Sequence, residues 1–341
     1  MAVVAFGPGR VNLIGEHTDY NGGLSLPFAI AQGVRVTATP LGGEHVEACA
    51  IDHGEEDRFP LADPAPGGHD GWRAFVHGMV AELTAAGHAL FPVRLEITGD
   101  VPEGSGLSSS AALEVALALA LLGRRPADRI ALAHLCSRVE SHWVGAQTGL
   151  LDQLASLYGE DGHALRIDFA TRRVEPVRMN TADWTLVTLD SGERHRHAAG
   201  GYNERRAECA RACQLLGVAT LSQATANAAA RLPAPLDRRA RHVLEENARV
   251  DAAVAALDAR DLVGVGRLLD SSHASLRDLY DASTPAVEAT VRRLKQAGAA
   301  GARMVGGGFG GHVLALLPPG LAPPPQAVVV EPSSGGRLLR A

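Results

Sequence analysis

Gly104-Ser105-Gly106-Leu107-Ser108-Ser109-Ser110 runs directly into Ala111-Ala112-Leu113-Glu114-Val115-Ala116-Leu117-Ala118-Leu119-Ala120-Leu121-Leu122. The second part is apolar nearly all round, with Glu114 as its one charge, so the pattern predicts a buried helix over 108–122. The first part is chemically suited to the start of such a helix. Glycines let a backbone approach an anion closely. Free N–H groups and the positive end of the helix dipole favour an anion there, by up to roughly 2 kcal/mol in a partly buried geometry. Serine hydroxyls can also ligate a hard cation such as Mg2+. Read alone, the stretch leaves two alternatives open: a phosphate loop, or a simple helix cap built on Ser108.

Outward from this stretch, the spacing predicts strands over 3–6, 33–39, 44–51, 93–98, 164–168, 184–190, 313–317 and 327–331. Helices are expected over 72–86, 128–143, 203–216, 237–257, 261–279 and 284–296. Residues 63–71 are rich in Pro and Gly and read as a loop, and the neighbourhood of Pro176 reads as a seam between two domains, 1–175 and 176–341. Strands and helices mix without a regular βαβ rhythm, which favours an α+β fold.

The 341 residues, 46% of them hydrophobic, suffice for two domains with their own cores. A net charge of -6 speaks against a nucleic-acid partner, which needs a basic face. No apolar run reaches membrane-spanning length, and the N-terminus lacks the pattern of a signal peptide. Cys49, Cys136, Cys209 and Cys213 have no metal-site spacing and read as reduced thiols, consistent with a cytoplasmic protein. Lys295 is the single lysine and follows Leu294, so there is no Gly-Lys-Ser/Thr phosphate loop and no protein-kinase strand lysine. A nucleotide phosphate has to be held by other means.

Three more stretches carry candidate chemistry. Gly306-Gly307-Gly308-Phe309-Gly310-Gly311 formally fits a dinucleotide fingerprint, but a strand follows it where a helix is required, so it reads as a tight backbone turn. Gly9-Arg10-Val11-Asn12-Leu13-Ile14-Gly15-Glu16-His17-Thr18-Asp19-Tyr20-Asn21-Gly22-Gly23 crowds Arg, Glu, His and Asp together with neither a helical nor a strand period. Such a cluster is either a solvated loop or a set of hydrogen-bonding groups for a polyhydroxylated ligand. In Gly149-Leu150-Leu151-Asp152-Gln153 an acid stands in an apolar setting, which is costly unless it is paired. It reads either as a satisfied structural Asp or as a group that handles an attacking hydroxyl. A glycosidase with paired carboxylates would leave the Gly/Ser loop and both Gly runs without a role.

Together these stretches resemble a known family. Residues 7–30 look like the signature of the galactokinases, 104–115 resembles the second motif of the GHMP small-molecule kinases, and 304–311 their third. The similarity also touches 149–156, 162–168 and 200–209. The resemblance implies a two-domain α+β GHMP kinase fold, with an N-terminal ribosomal-protein-S5-like domain, a C-terminal ferredoxin-like α/β-plait domain and the active site in the cleft. It implies transfer of the γ-phosphoryl group of ATP to the C1 hydroxyl of D-galactose, the first committed step of the Leloir pathway, with Mg2+ and as a monomer. A related sugar-1-kinase for N-acetylgalactosamine or L-arabinose, and a non-catalytic galactose/ATP sensor, remain as alternatives.

By position, the resemblance makes Asp152 the catalytic aspartate and Arg10 the stabiliser of the transferring phosphoryl group. It assigns Glu16, His17, Thr18, Asp19, Gly149 and Tyr202 to the sugar. Gly104, Ser105, Gly106, Leu107, Ser108, Ser109 and Ser110 fall on the nucleotide, with Trp72 at the adenine and Ser110 and Glu140 on the metal. Two positions depart from the family pattern: Phe75 where a tyrosine is usual beside the adenine, and His312 where a cysteine is common.

Overall fold

The computed structural model describes residues 1–64, 71–101, 106–146, 148–193 and 198–340. It opens with β1 (Val3–Asn12), a single 3-10 turn at Asp19–Asn21, β2 (Leu24–Ser25) and β3 (Pro27–Pro40). β4 (His45–Ala50), β5 (Glu55–Pro60), α1 (Trp72–Ala85), β6 (Val93–Gly99), α2 (Ser109–Leu122), α3 (Arg129–Val139), α4 (Leu151–Tyr158), β7 (His163–Asp168) and β8 (Arg173–Arg178) complete the first half. The second half holds β9 (Thr185–Asp190), α5 (Ala198–Leu216), α6 (Ala226–Ala229), α7 (Leu236–Asp258), α8 (Leu262–Asp278), α9 (Pro285–Gln296), β10 (Gly301–Met304), β11 (His312–Leu317), β12 (Val328–Val329) and β13 (Arg337–Arg340).

Three sheets result, ordered β13-β1-β3-β6-β4-β5, β10-β11-β9-β12 and β2-β7-β8. Pro176 lies inside β8, paired opposite Leu165 on the edge of the three-stranded sheet, a place where proline is tolerated. The change of sheet falls after Arg178, and β13 returns from the C-terminal end to pair with β1. The strand expected over 327–331 shrinks to the two residues of β12, and it is not the last one.

Burial explains where the pattern misled. β3 begins well before residue 33 because Phe28, Ala29 and Ile30 are all buried and leave no alternation to read. The helix expected over 128–143 stops at Val139 and widens into a π turn, Glu140–Val144, a local geometry that recurs at functional sites. α4 was missed as a helix, being only two turns long.

α2 lies across β1 and β3 with residues 111–120 wholly buried, and it ends at Gly123 in a left-handed conformation. α3, α8 and α9 start on Asp128, Asp261 and Thr284, whose side chains accept backbone N–H bonds. One core lies beneath the six-stranded sheet. A second joins the halves, bringing Val11, Leu13 and Phe28 against Val250, Leu314 and Leu316. All four cysteines carry free thiols, and among the described residues no helix is long and apolar enough to cross a membrane.

β1 approaches α2 so closely that a Cβ on Gly7 would sit 2.1 Å from the Ala112 carbonyl oxygen and 2.9 Å from the Ala116 nitrogen. Both neighbours are backbone and cannot swing away. Gly7→Ala is therefore expected to lower stability by about 1–3 kcal/mol or more, read from urea unfolding, since overpacking has this order of cost.

Candidate active site

A cleft of about 330 Å³ is lined by Arg10, Glu16, His17 and Asp19 from the signature loop and by Gly106, Ser108, Ser109 and Ser110 at the start of α2. Thr148, Gly149 and Asp152, Tyr202 and Asn203 on α5, and Gly306, Gly307 and Gly308 complete the wall. The three glycine-rich or polar stretches and the isolated acid thus meet in one space, though nearly 300 residues separate their ends.

At its centre Arg10 donates through Nε and Nη2 to Asp152 Oδ1, at 2.8 and 2.7 Å. Its Nη1 donates to the Gly106 carbonyl, and its backbone N–H to the Leu107 carbonyl at 3.0 Å. Ser108 Oγ donates to Asp152 Oδ2 at 2.8 Å. Ser108 does stand at the N-cap of α2, but in a left-handed conformation and without capping the backbone. Its hydroxyl is turned to the acid instead, so the simple-cap reading is set aside. Ser108, Ser109 and Ser110 at the start of α2 line the cleft, and the first N–H groups of a helix have no intrahelical partner.

The signature loop is a buried structure, not a solvated one. Glu16 accepts from the Gly306 N–H at 2.8 Å and pairs with Arg303 at 3.2 Å, which ties the third motif to the first. His17 sits at φ 61° with its ring against those of Tyr280 and Tyr202, centroids 4.6 and 5.3 Å away, and its Nδ1 is 2.9 Å from the Tyr20 hydroxyl. A left-handed His is strained and persists only where its surroundings hold it. Burial first, then the neighbouring His242, lowers its pKa to about 3, so the ring is neutral at physiological pH. Asp19 is pushed the other way, from 3.8 to about 7, first by burial and then by the nearby Asp152 carboxylate. Gly149 has to be glycine beside it, for a Cβ there would fall 1.8 Å from Asp19 Oδ2.

Not every expected residue reaches the cleft. Thr18 is wholly buried, with its hydroxyl bonded among the Gly15 and Leu24 carbonyls and Ser25 Oγ, and so shapes the loop. Leu107 is a core side chain that offers only its backbone. Trp72, expected at the adenine, stands outside the cleft lining; its indole donates to Glu55 at 2.9 Å and Arg73 lies over its ring. Phe75 is packed in the first core. Gly104 and Ser105 lie outside the described residues. Glu140 is buried behind the cleft wall; it accepts hydrogen bonds from Ser110 and Thr148, and burial raises its pKa.

Sequence reasoning missed the residues that hold the loop from behind. On α7, Glu246 accepts from the Gly15 N–H at 3.0 Å, Ser272 Oγ at 2.6 Å and Arg249 Nε at 2.6 Å. His242 and two arginines bring its pKa down to about 2 despite burial. His242 donates to the Glu16 carbonyl at 3.1 Å and accepts from Ser275 at 2.8 Å. Asn247 receives the Leu24 N–H at 2.8 Å. A signal was present: Glu246 falls on the apolar stripe formed by Val243, Val250, Ala253 and Leu257.

The comparisons with known proteins agree with this geometry. The family description "GHMP kinases N terminal domain" matches residues 74–160 and "GHMP kinases C terminal" matches residues 253–324. Fold and cleft therefore define a GHMP kinase, with the two-domain fold of that class. A "Galactokinase galactose-binding signature" covers residues 1–40. A galactokinase of Mycobacterium bovis is 46% identical over 328 residues, covering 92% of this chain and 89% of that one, and one of Roseiflexus sp. is 41% identical over 329 residues, covering 92% and 83%. The crystal structure of Lactococcus lactis galactokinase complexed with galactose superposes with a TM-score of 0.92 at 31% identity, covering 98% and 95% of the two chains. The chain belongs to the galactokinase family.

The position of Asp19 has a measurable consequence. Its carboxyl ionises near 3.8 ordinarily and near 7 when folded, so the folded chain holds the extra proton between those values. That contribution to stability is complete below about pH 4 and is lost as the pH rises to about 7. Asp19→Asn removes the loss. The melting temperature of the variant relative to wild type should climb between pH 4 and 7, and a constant difference across that range would refute the burial of this carboxyl.

Proposed function

We propose that the chain transfers the γ-phosphoryl group of ATP to the C1 hydroxyl of D-galactose, giving galactose 1-phosphate and ADP, through the residues of this cleft. The observation that carries the reading is the Arg10–Asp152–Ser108 arrangement, placed where the signature loop and the helix N-terminus meet.

Phosphoryl transfer has a loose transition state, so position and charge supply most of the catalysis. Glu16, His17, Asp19, Gly149 and Tyr202 form the sugar side of the cleft. Gly106 and Ser108 to Ser110 form the phosphate side, where backbone N–H groups and the α2 dipole favour an anion. Asp152 stands between the two sides, with each of its oxygens already anchored by a donor. It orients the sugar hydroxyl and takes its proton late, as the new O–P bond forms and the bond to the ADP oxygen breaks. A carboxylate is a weak base near neutrality, which suits late rather than early proton removal. Arg10 brings positive charge to the oxygens of the transferring group and stays fixed because Asp152 and Gly106 hold it.

Ser110 and Glu140 suit Mg2+. Both are hard oxygen donors and they are bonded to one another. Among the described residues Glu140 forms no ion pair, so a cation there would supply the missing charge. Two protein ligands leave room for the phosphate oxygens and waters that Mg2+ retains. Bound there, the ion would neutralise charge on the β- and γ-phosphates. We further place the protein in the cytoplasm, in keeping with its four free thiols, and propose that it acts as a monomer.

An ADP-release assay across galactose, N-acetylgalactosamine and L-arabinose tests the substrate: galactose should give the largest kcat/KM, and no turnover with any sugar would overturn the reading. Asp152→Asn preserves the shape of the side chain and should cut kcat by about 100- to 10,000-fold, the usual scale for a lost proton acceptor, while galactose still binds in calorimetry. Arg10→Lys keeps the charge but loses the planar fork, so kcat should fall well beyond any change in galactose KM. Unchanged kinetics would leave Arg10 a purely structural role.

A further inference from the structure

Around Glu140, behind the cleft wall, lies a buried polar cluster of which the reading above uses Glu140 alone. Glu114 on α2 and Gln153 on α4 are both fully inaccessible, and Glu140 is 5% exposed. Gln153 Nε2 donates to Glu140 Oε2 at 2.9 Å and to Glu114 Oε2 at 3.0 Å, so one amide bridges two acids. Thr148 Oγ1 donates to the same oxygen, Glu140 Oε2. Thr148 is itself fixed, since its carbonyl accepts from Arg206 Nη1 at 3.1 Å.

The cluster is poorly made for stability alone. Glu114 Oε1 and Gln153 Oε1 meet no donor among the described residues. An unsatisfied buried polar atom costs about 1–3 kcal/mol, and an apolar core of similar shape would avoid that cost. What the cluster does achieve is orientation. Two donors from the segment 148–153 take one oxygen of Glu140, so the carboxylate cannot rotate about its last bond without breaking both.

We propose that Thr148 and Gln153 are positioning residues for the divalent cation, holding Glu140 by Oε2 so that the carboxylate meets the ion in one orientation. The inference rests on the reading of Glu140 as a cation ligand. It also gives Gln153 a reason to follow Asp152 directly: successive residues of one helix turn set the acid that handles the hydroxyl and the acid that serves the metal.

The test uses the whole enzyme and two readouts. Mn2+ is titrated into the enzyme–ADP complex and the free ion read by electron paramagnetic resonance; separately, the Mg2+ concentration for half-maximal turnover is measured at saturating ATP and galactose. Thr148→Val should weaken Mn2+ binding and raise the Mg2+ requirement, by about 10- to 100-fold as is typical when a group supporting a metal ligand is lost, with little change in galactose KM. Thr148→Ser restores the hydroxyl and should return both values close to wild type, which a simple packing role for the side chain would not explain. Glu140→Gln is the control for the underlying reading. If it weakens Mn2+ binding and Thr148→Val does not, the positioning role is wrong and the ligand stands. If Glu140→Gln leaves Mn2+ binding intact, the ligand assignment fails and the positioning role with it. A Thr148→Val effect confined to galactose KM also overturns the proposal.

Discussion

Between β1 and α4 the guanidinium of Arg10 and the carboxylate of Asp152 form an ion pair with 6% and 24% of their side chains exposed. Taking such charges out of water is expensive, and a pair of this kind is rarely a net source of stability. What it fixes is geometry. The guanidinium reaches Asp152 with Nε and Nη2 and Gly106 with Nη1, so one side chain locks β1, the start of α2 and α4 together. The β1–β3 register shifts between Pro8 and Arg10, an irregularity that re-aims a side chain where a regular ladder would alternate. Asp152, Ser108 and the carbonyls of Gly106 and Leu107 then have their places set by partners of one residue.

The same logic extends outward in layers. Glu16 draws Gly306 and Arg303 to the loop from the second half of the chain, and Arg303, wholly buried, donates in turn to the Asn12 and Leu13 carbonyls. Glu16 and Glu246, both buried near the cleft, each have partners that are also held. Glu246 is the clearest case: burial alone would raise its pKa, yet His242 and the arginines overcome that and bring it to about 2. His17 and His242, lacking a compensation of this size, are neutral instead. Groups that stay charged are thus the ones with enough partners, and the rest surrender the charge.

How much of this the sequence made legible depends on the kind of signal. Helix α2 and its loop could be read because an all-apolar run of that length has few other uses and the Gly/Ser stretch preceding it is chemically distinct. The cluster around Glu16, His17 and Asp19 could be read because no period explains it. The bonds of the Thr18 hydroxyl to the carbonyls of Gly15 and Leu24 could not be read this way, because local composition does not show where a hydroxyl turns. Trp72 is assigned to the adenine by resemblance alone, which transfers a position and not the direction of a side chain; its bond to Glu55 is visible only in the structure. α4 escaped because two turns give too short a window, and β13 because pairing across more than 300 residues leaves no local trace. Glu246 and His242 were within reach, since polar residues on the apolar stripe of a long helix have to be satisfied by something.

The support of the signature loop crosses the chain. In sequence the signature loop belongs to the first half of the chain. In structure it rests on the second: Gly15 on Glu246, Leu24 on Asn247, the Glu16 carbonyl on His242, and His17 against Tyr280. The segment 13–23 between β1 and β2 has conformational entropy to lose on ordering. Contacts from α7 help to offset that loss. The loop residues proposed to meet the sugar and the residues that hold that loop are therefore encoded more than 200 positions apart.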